Sequence, residues 1–252
     1  MKKILTVLMA AAMLAVGANA AFEDSFKTLP MSVKNIMLIV TYSIILVTGI
    51  YYMTPLYRLL PLFVSVIVMI LQSEANRYGY LLGSMNCFLY AVVYMGLGLY
   101  ATASSALLLS FPIQLMTFIN WKSHAFENTV VFKKMSLVMR LVVGFVTVLV
   151  FAVVICILRL SGSDYAIFDT ANSVLGMLVS LLTLFGFVEY SYIWPFCSLA
   201  SVILSCQVLM QEMSQMPYFV YSLYSFCCVI MAAVNVRKLY FLQNQKNSQS
   251  DV

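Results

Sequence analysis

The sequence predicts an all-α integral membrane protein, and three observations support this. Hydrophobic residues make up 63% of the chain and charged residues 9%, with a mean hydropathy of +0.97, whereas a soluble domain is about 25% charged. Residues 78–121 contain no acidic residue, basic residue or histidine, and they suffice for two crossings at about 20 residues each. The apolar segments show no alternation of polar and apolar residues, which argues against a β-barrel.

The N-terminal region contains two apolar stretches. Residues 1–20 resemble a signal peptide, with a basic start, an apolar run and an A-x-A site at 18–20. An uncleaved anchor and a short surface helix are the alternatives. Residues 21–55 hold a polar segment and then an extra hydrophobic helix at 36–53.

Seven further apolar spans are separated by prolines and polar loops. They lie at 56–72, 78–98, 102–121, 135–160, 169–188, 191–211 and 217–237. We therefore expect a three-helix unit, a loop with a linking helix, a second three-helix unit and a polar C-terminal tail that is mobile from Gln243. The corresponding bounds are 56–121, 122–168, 169–237 and 238–252.

The two three-helix units resemble each other. Phe118 to Lys122 align with Val234 to Arg237, which matches Asn120 with Asn235 near the end of the third helix of each unit. One linking helix makes the units parallel, so the sequence predicts a parallel 3+1+3 repeat with a site at the repeat interface. Chance similarity between apolar helices is the alternative.

The basic residues predict an orientation. With the 122–134 loop in the cytoplasm, only Arg58 and Arg159 lie outside, and the C-terminus lies inside. The inside residues would be Lys27, Lys34, Arg77, Lys122, Lys133, Lys134, Arg237, Lys238 and Lys246. A cleaved leader would instead place residues 21–35 outside, so the topology of residues 21–53 stays open. We expect a multi-pass protein of the cytoplasmic (inner) membrane.

Polar and aromatic residues share helix faces at i,i+4 and i,i+7 spacing. These candidate site residues are Asn86 with Tyr90, Gln114 with Phe118 and Trp121, and Trp194 with Ser198. Amides beside aromatic rings suit a flat polar ring, which can be stacked on its faces and hydrogen-bonded at its edges. The alternative is that these residues join helices to one another.

The few charges in or near spans are assigned to structural roles. We expect Arg140 to snorkel, Asp169 to cap the start of its own helix, and Glu189 to be solvated in a turn. The absence of an acid in the middle of a span favours uncoupled transport. The absence of a buried Arg or Lys cluster argues against a phosphorylated substrate.

Other functional classes find little support in the chain. The net charge of +5 is explained by membrane topology, so no nucleic-acid partner is expected. The six cysteines lie in apolar segments, His124 is the single histidine, and no catalytic or metal-binding motif is present. We therefore expect no enzyme, no cofactor and no metal. Partners are the bilayer and a small substrate, and homo-oligomerisation stays open.

Several segments resemble motifs of the PnuC family of vitamin transporters. Residues 82–90 resemble its Gly-x-x-Asn-x-x-Leu-Tyr segment, and Pro112 to Trp121 resemble its Pro-x-Gln…Trp-x-x-Trp helix. Phe168-Asp169 resembles its Trp-Asp pair, and Glu189 to Ser198 resemble Glu-Asn-Trp-x-x-Trp-x-x-x-Asn. The resemblance covers about residues 56–240.

This resemblance implies a seven-helix core similar to the SWEET fold. It also implies uptake of nicotinamide riboside by facilitated diffusion, with cytoplasmic phosphorylation trapping the substrate; relatives carry thiamine or riboflavin. Trp194 and Tyr221 or Tyr224 would stack the ring. Asn86, Gln114 and Ser198 would bond the amide or the ribose hydroxyls.

The chain departs from the family pattern on these same faces. Phe118 and Ser191 replace tryptophans, and Ser198 replaces an asparagine. Thr117 and Ala232 stand where glycine is usual. The resemblance therefore supports the fold more strongly than it supports the substrate. Thiamine or riboflavin transport and a non-transporting membrane scaffold remain alternatives.

Overall fold

A computed structural model describes residues 31–123, 125–126, 129–162 and 165–250. The predicted leader at 1–20 lies outside these residues. The elements in chain order are α1 (Met31–Tyr51), α2 (Leu56–Ser73), α3 (Tyr78–Gly96), α4 (Tyr100–Ser105), a π-helical turn (Ala106–Ser110), α5 (Phe111–Ser123), β1 (Ala125–Phe126), β2 (Thr129–Val130), α6 (Leu137–Leu160), α7 (Ala166–Leu184), α8 (Tyr190–Gln211), a 3-10 turn (Met213–Gln215) and α9 (Met216–Ser250).

The all-α membrane architecture predicted from the sequence is confirmed. Within the described part of the chain, seven helical segments are long and apolar enough to cross a membrane. Helix α3 is 19 residues long but carries buried Ser84 and Asn86, which lower its hydropathy. Those polar groups belong to the interior of the helix bundle.

Six helical segments form a closed ring. Each packs on the next in the order α2, α3, α4–α5, α7, α8 and α9, and α9 packs back on α2. The three-helix unit α2–α5 is thus joined to the unit α7–α9 along two lines of contact. We call the α5–α7 contact, with α4 at its other end, the first seam, and the α9–α2 contact the second seam.

Two helices lie outside the ring. Helix α6 packs on α7, and α1 packs on α2 and α9. The most apolar stretch of α6 has a mean hydropathy of 3.3 and is 6% buried, so its side chains face lipid. The linking helix therefore connects the two units without contributing to the interior.

Matched asparagines hold the two seams at the same end of the bundle. Asn120 Nδ2 donates to the carbonyl oxygen of Leu184 at 2.9 Å, and Asn235 Nδ2 donates to that of Ser73 at 2.9 Å. Leu184 and Ser73 are the last residues of α7 and α2. We call this end, where residues 124–136 connect α5 to α6, the loop end, and the opposite end the far end.

Prolines shape two of the ring helices. Pro112 lacks an N–H for the carbonyl of Leu108, and in the preceding turn the Phe111 N–H reaches Ala106, which gives the π-helical geometry. Pro195 likewise leaves the Ser191 carbonyl without its helical donor, and the Arg237 guanidinium donates to that oxygen at 3.3 Å.

The C-terminal helix is longer than the sequence suggests. Helix α9 continues to Ser250, so residues 238–250 of the predicted polar tail are helical. The Gln243 side chain accepts from the Phe132 N–H at 2.8 Å and donates to the Val130 carbonyl at 3.0 Å. These two bonds fix the helix to the connection between α5 and α6.

Candidate functional site

A cavity of about 270 Å³ lies inside the ring, and all six ring segments contribute to its lining. It reaches from Gln72 and Tyr80 on the loop-end side to Tyr94 and Thr102 on the far-end side. Of the predicted site residues, five line it: Asn86, Tyr90, Gln114, Trp194 and Tyr221. The cavity therefore combines Asn86, Gln114 and Tyr90 of the first unit with Trp194 and Tyr221 of the second.

Asn86 is held by α2 and offers an acceptor that the described residues leave unused. Its Nδ2 donates to the Pro61 carbonyl at 3.0 Å and to Ser65 Oγ at 2.7 Å. Ser65 Oγ in turn donates to Tyr90 Oη at 2.9 Å. Asn86 Oδ1 is buried and has no partner among the described residues. A buried acceptor without a donor is costly, so a ligand N–H or O–H would be favoured there.

Gln114 lies directly against the backbone of α3. Its Oε1 accepts from Gln72 Nε2 at 3.4 Å, and its Nε2 contacts Cys87 Sγ at 3.5 Å. A Cβ on residue 83 would stand 2.0 Å from Gln114 Oε1. Gly83 is therefore required for the amide to occupy this position, which gives a physical reason for the glycine three residues before Asn86.

Tyrosines separate this cavity from a second one. Tyr90 and Tyr94 stack with ring centroids 5.2 Å apart, and Tyr221 lies 6.4 Å from Tyr90. All three rings also line a cavity of about 210 Å³, which reaches Leu97 and Gln215 at the far end. The tyrosines thus form a partition between the central cavity and a far-end vestibule.

Two predicted site residues lie at the loop end, outside the central cavity. Trp121 is 1% exposed, and its Nε1 donates to the Thr183 carbonyl at 3.1 Å. Its ring packs edge-on against Tyr80 at 4.8 Å. Phe118 packs on Tyr78 and under the Arg77 guanidinium. Both residues follow Gln114 on one helix face, but they lie nearer the end of α5, past the cavity.

Two further candidates point away from the cavity. Tyr224 Oη donates to the Val66 carbonyl at 3.0 Å across the second seam. Ser198 is buried among its neighbours, and its Oγ finds no hydrogen-bond partner in the described chain. Trp194 lines the cavity, and the second α8 residue in the lining is Cys197, three residues further on. The i,i+4 spacing from Trp194 to Ser198 therefore did not identify the lining face of α8.

The sequence reasoning missed most of the hydroxyl and amide groups of the cavity. Ser65 and Gln72 line it from α2, and Asn172 lines it from α7. A signal was present in α7, where small and polar residues recur at helical spacing. These lining residues are Ser173, Gly176, Ser180 and Thr183.

Asp169 has a role different from the one predicted. It is fully buried, and instead of capping its own helix it accepts from the backbone N–H of Thr102 at 3.2 Å and from the Thr102 hydroxyl. Thr102 is in the first turn of α4, so Asp169 caps that neighbouring helix across the far end of the first seam. Its Oδ2 has no partner among the described residues.

Glu189 and Arg140 also differ from expectation. Glu189 is 8% exposed instead of solvated, because the chain before α6 folds over it. Its Oε1 accepts from the Met135 N–H at 3.0 Å and pairs with the Arg140 guanidinium at 2.7 Å. Arg140 therefore forms an ion pair instead of simply snorkelling.

Among the described residues that line the central cavity, none carries a charge. The available groups are amides, hydroxyls, a thiol and aromatic rings. They can hydrogen-bond a polar solute and stack a ring, but they provide no cation to hold a phosphate and no acid–base pair for catalysis.

A membrane-embedded helix ring around an uncharged polar cavity defines a class of protein, the carriers of small polar molecules. Residues 55–238 match the family model described as nicotinamide mononucleotide transporter. The chain belongs to that family and is a membrane transporter, not an enzyme. The resemblance to PnuC proteins drawn from the sequence is confirmed, and α1 precedes the matched region.

A solved structure gives the same fold. The structure superposes on the crystal structure of a protein described as the Vitamin B3 transporter PnuC with a TM-score of 0.72. The two chains are 18% identical, and the match covers 83% of this chain and 92% of that one. A search of curated proteins finds no match.

Proposed function

We propose that this transporter facilitates the uptake of nicotinamide riboside without ion coupling, and that cytoplasmic phosphorylation traps the substrate. The observation that carries the proposal is the uncharged central cavity, which combines amides and hydroxyls with aromatic rings. The riboside has a cationic pyridinium ring, a carboxamide and ribose hydroxyls. Aromatic faces attract such a ring, and amides bond the rest.

The residues fit these parts in a defined way. Trp194 and Tyr221 supply rings from α8 and α9, and Tyr90 and Tyr94 supply them from α3. Asn86 Oδ1, unpartnered among the described residues, would accept from the carboxamide or a ribose hydroxyl. Gln114, which Gly83 allows to approach α3, would bond the other polar edge.

The same cavity favours the riboside over its mononucleotide. A phosphate is bound in proteins by arginine, lysine or a cluster of backbone N–H groups. The described lining residues include neither arginine nor lysine. An uncompensated phosphate in this setting would lose its hydration without replacement, which is costly.

The proposed coupling and orientation follow from the charges. The described cavity lining contains no acid that could carry a proton or sodium ion with the substrate. We place the loop end in the cytoplasm and the protein in the inner membrane, since the loop-end segments hold Lys133, Lys134, Arg237 and Lys238.

The proposed parallel repeat is supported by the two seams. Asn120 and Asn235, aligned from the sequence, donate to the last residues of α7 and α2, which are the first helices of the two units. A two-fold arrangement about an axis along the membrane normal would place such bonds in equivalent positions. The cavity lies between the two units.

Uptake into proteoliposomes tests the proposal. Radiolabelled nicotinamide riboside should enter faster than into empty vesicles, unlabelled riboside should compete, and nicotinamide mononucleotide should not. Thiamine and riboflavin serve as further competitors. Riboside uptake equal to that of empty vesicles would refute the assignment, and stronger competition by thiamine or riboflavin would move it to that vitamin.

A further inference from the structure

A third cavity lies at the loop end, outside the ring interior. It has a volume of about 390 Å³ and is bounded by the segment before α6 and by parts of α6, α8 and α9. Its lining comprises Lys134, Arg140, Val188, Glu189, Tyr192, Arg237, Tyr240 and Phe241. We call it the basic cleft. Three of its side chains are cationic, one is anionic, and three are aromatic.

The charges of the basic cleft do not cancel. Arg140 pairs with Glu189 at 2.7 Å, which leaves Lys134 and Arg237. Neither of these makes an ion pair with an acidic residue in the described part of the chain. The cleft therefore carries an excess of two positive charges beside the membrane.

Contacts with α8 hold the Arg237 guanidinium in place but leave one of its N–H donors unused by the described residues. Its guanidinium lies 4.0 Å over the Tyr192 ring and donates one bond to the Ser191 carbonyl, which Pro195 leaves without a helical donor. Its Nε is buried without a partner among the described residues. Arginine fixed by stacking is pre-organised for an anion, because little side-chain freedom remains to be lost.

The surroundings of the basic cleft are those of a lipid interface. Leu137, Val138 and Leu141 at the start of α6 are exposed, as is Phe241. Aromatic side chains such as Tyr192 and Tyr240 concentrate where a membrane meets water. An anion that reaches the two free cations would thus have apolar protein surface beside it.

We propose that the basic cleft binds the headgroup of an anionic phospholipid that carries hydroxyl groups, such as phosphatidylglycerol. The phosphate contacts Lys134 and Arg237, and the acyl chains lie along the exposed start of α6. A headgroup hydroxyl donates to Glu189 Oε2, an oxygen that is buried and unpartnered among the described residues. This site is independent of the proposed transport substrate.

Native mass spectrometry of the delipidated full chain tests the proposal. Phosphatidylglycerol should bind at least about fivefold more tightly than neutral phosphatidylcholine, since each basic residue near an anionic lipid contributes about that factor. Lys134→Gln and Arg237→Gln should each weaken phosphatidylglycerol binding by about fivefold. Lys133→Gln removes the same charge one residue away, where Lys133 lies over Phe187, and should leave binding unchanged.

Two other ligands test the roles of the headgroup hydroxyl and of the acyl chains separately. Phosphatidylmethanol has the same charge but no headgroup hydroxyl, and it should bind more weakly than phosphatidylglycerol. Soluble glycerol phosphate should not displace the lipid. Equal binding of phosphatidylglycerol and phosphatidylcholine, or an equal loss in Lys133→Gln and Lys134→Gln, would overturn the site. Displacement by glycerol phosphate would identify a soluble anion as the ligand and overturn the lipid assignment.

Discussion

The first and second seams are alike at the loop end and different at the far end. At the loop end an asparagine on the third helix of one unit bonds the final carbonyl of the first helix of the other. At the far end, the first seam uses buried Asp169 to cap α4, whereas the second uses Tyr218, whose hydroxyl donates to the Arg58 carbonyl at 2.5 Å. The contacts of the two seams are therefore more alike at the loop end than at the far end.

The two units also differ in what they present to the cavity. The first unit supplies Asn86, Gln114 and Tyr90, whereas the second supplies Trp194, Tyr221, Asn172 and small residues of α7. Ser198, a predicted site residue of the second unit, does not line the cavity. The two units thus share a loop-end seam contact but present different side chains to the cavity.

Removing the buried far-end contact of the first seam should have the largest effect. Asp169→Leu leaves the Thr102 N–H and hydroxyl without an acceptor, and we expect a loss of about 2–3 kcal/mol in unfolding free energy. Tyr218→Phe, the matched change in the second seam, removes one hydrogen bond and should cost about 1 kcal/mol. Chemical denaturation of the purified protein in detergent measures both. Equal losses would contradict the asymmetry.

Filling the space beside Gln114 should impair the first unit's side of the cavity. The added Cβ of Gly83→Ala would displace the Gln114 amide, and we expect about tenfold weaker substrate binding, the equivalent of about 1.4 kcal/mol. Gly96→Ala is the matched control in the same helix, since a Cβ there meets no atom within 4 Å. Binding isotherms measure the effect. Unchanged affinity in Gly83→Ala would show that the position of the Gln114 amide does not affect substrate binding.

The matched asparagines should contribute equally. Asn120→Ala and Asn235→Ala should each lower the unfolding free energy by about 0.6 kcal/mol, the average for a hydrogen bond between membrane helices. The losses should add in the double variant, because the two bonds lie in different seams. Denaturation in the same detergent tests this. A loss in one variant several times that in the other would break the equivalence of the seams.

The smallest effect concerns pH at the far end of the second seam. The hydroxyl of Ser214, the Gln215 amide and the Arg58 guanidinium lower the pKa of Glu212. Because the folded-state pKa is below the unfolded value of about 4.3, this stabilisation is present above that value and is lost as pH falls through the folded pKa. Glu212 is half exposed, so the change should be a few tenths of a kcal/mol.

Acid denaturation with a matched variant measures that contribution. Glu212→Gln should remove this part of the stability loss below about pH 4.3, while leaving the rest of the acid transition unchanged. Indistinguishable acid profiles for Glu212→Gln and the unmodified chain would show that the interactions of Glu212 do not stabilise the second seam.

The helices and the family were accessible from the sequence, but the lining faces were only partly so. Apolar length and proline positions located the spans, and Asn86 and Gln114 were found because amides are rare in such segments. Trp121 and Tyr224 have the same residue chemistry as lining aromatics, yet backbone carbonyls of α7 and α2 hold them in the seams. Contacts with neighbouring helices determine which face of each helix lines the cavity. The spacing of residues along one helix does not predict those contacts.

Buried charge was equally hard to anticipate. Asp169 and Glu189 both sit near helix starts, where acids are commonly exposed or cap their own helix. Their partners, Thr102 and Met135 with Arg140, come from other helices or from a connecting segment. The position of each acid in the sequence therefore indicated the start of a helix correctly. It did not indicate which neighbouring segment buries the carboxylate.

The most direct test of the account compares a predicted site residue that lines the central cavity with one that does not. Nicotinamide riboside binding to purified Gln114→Ala and Ser198→Ala, with folding checked by thermal unfolding, measures what each side chain contributes to the affinity. We expect Gln114→Ala to bind at least about tenfold more weakly and Ser198→Ala to bind as the unmodified chain does. Unchanged affinity in Gln114→Ala together with lost affinity in Ser198→Ala would contradict the assignment of the substrate site to the central cavity.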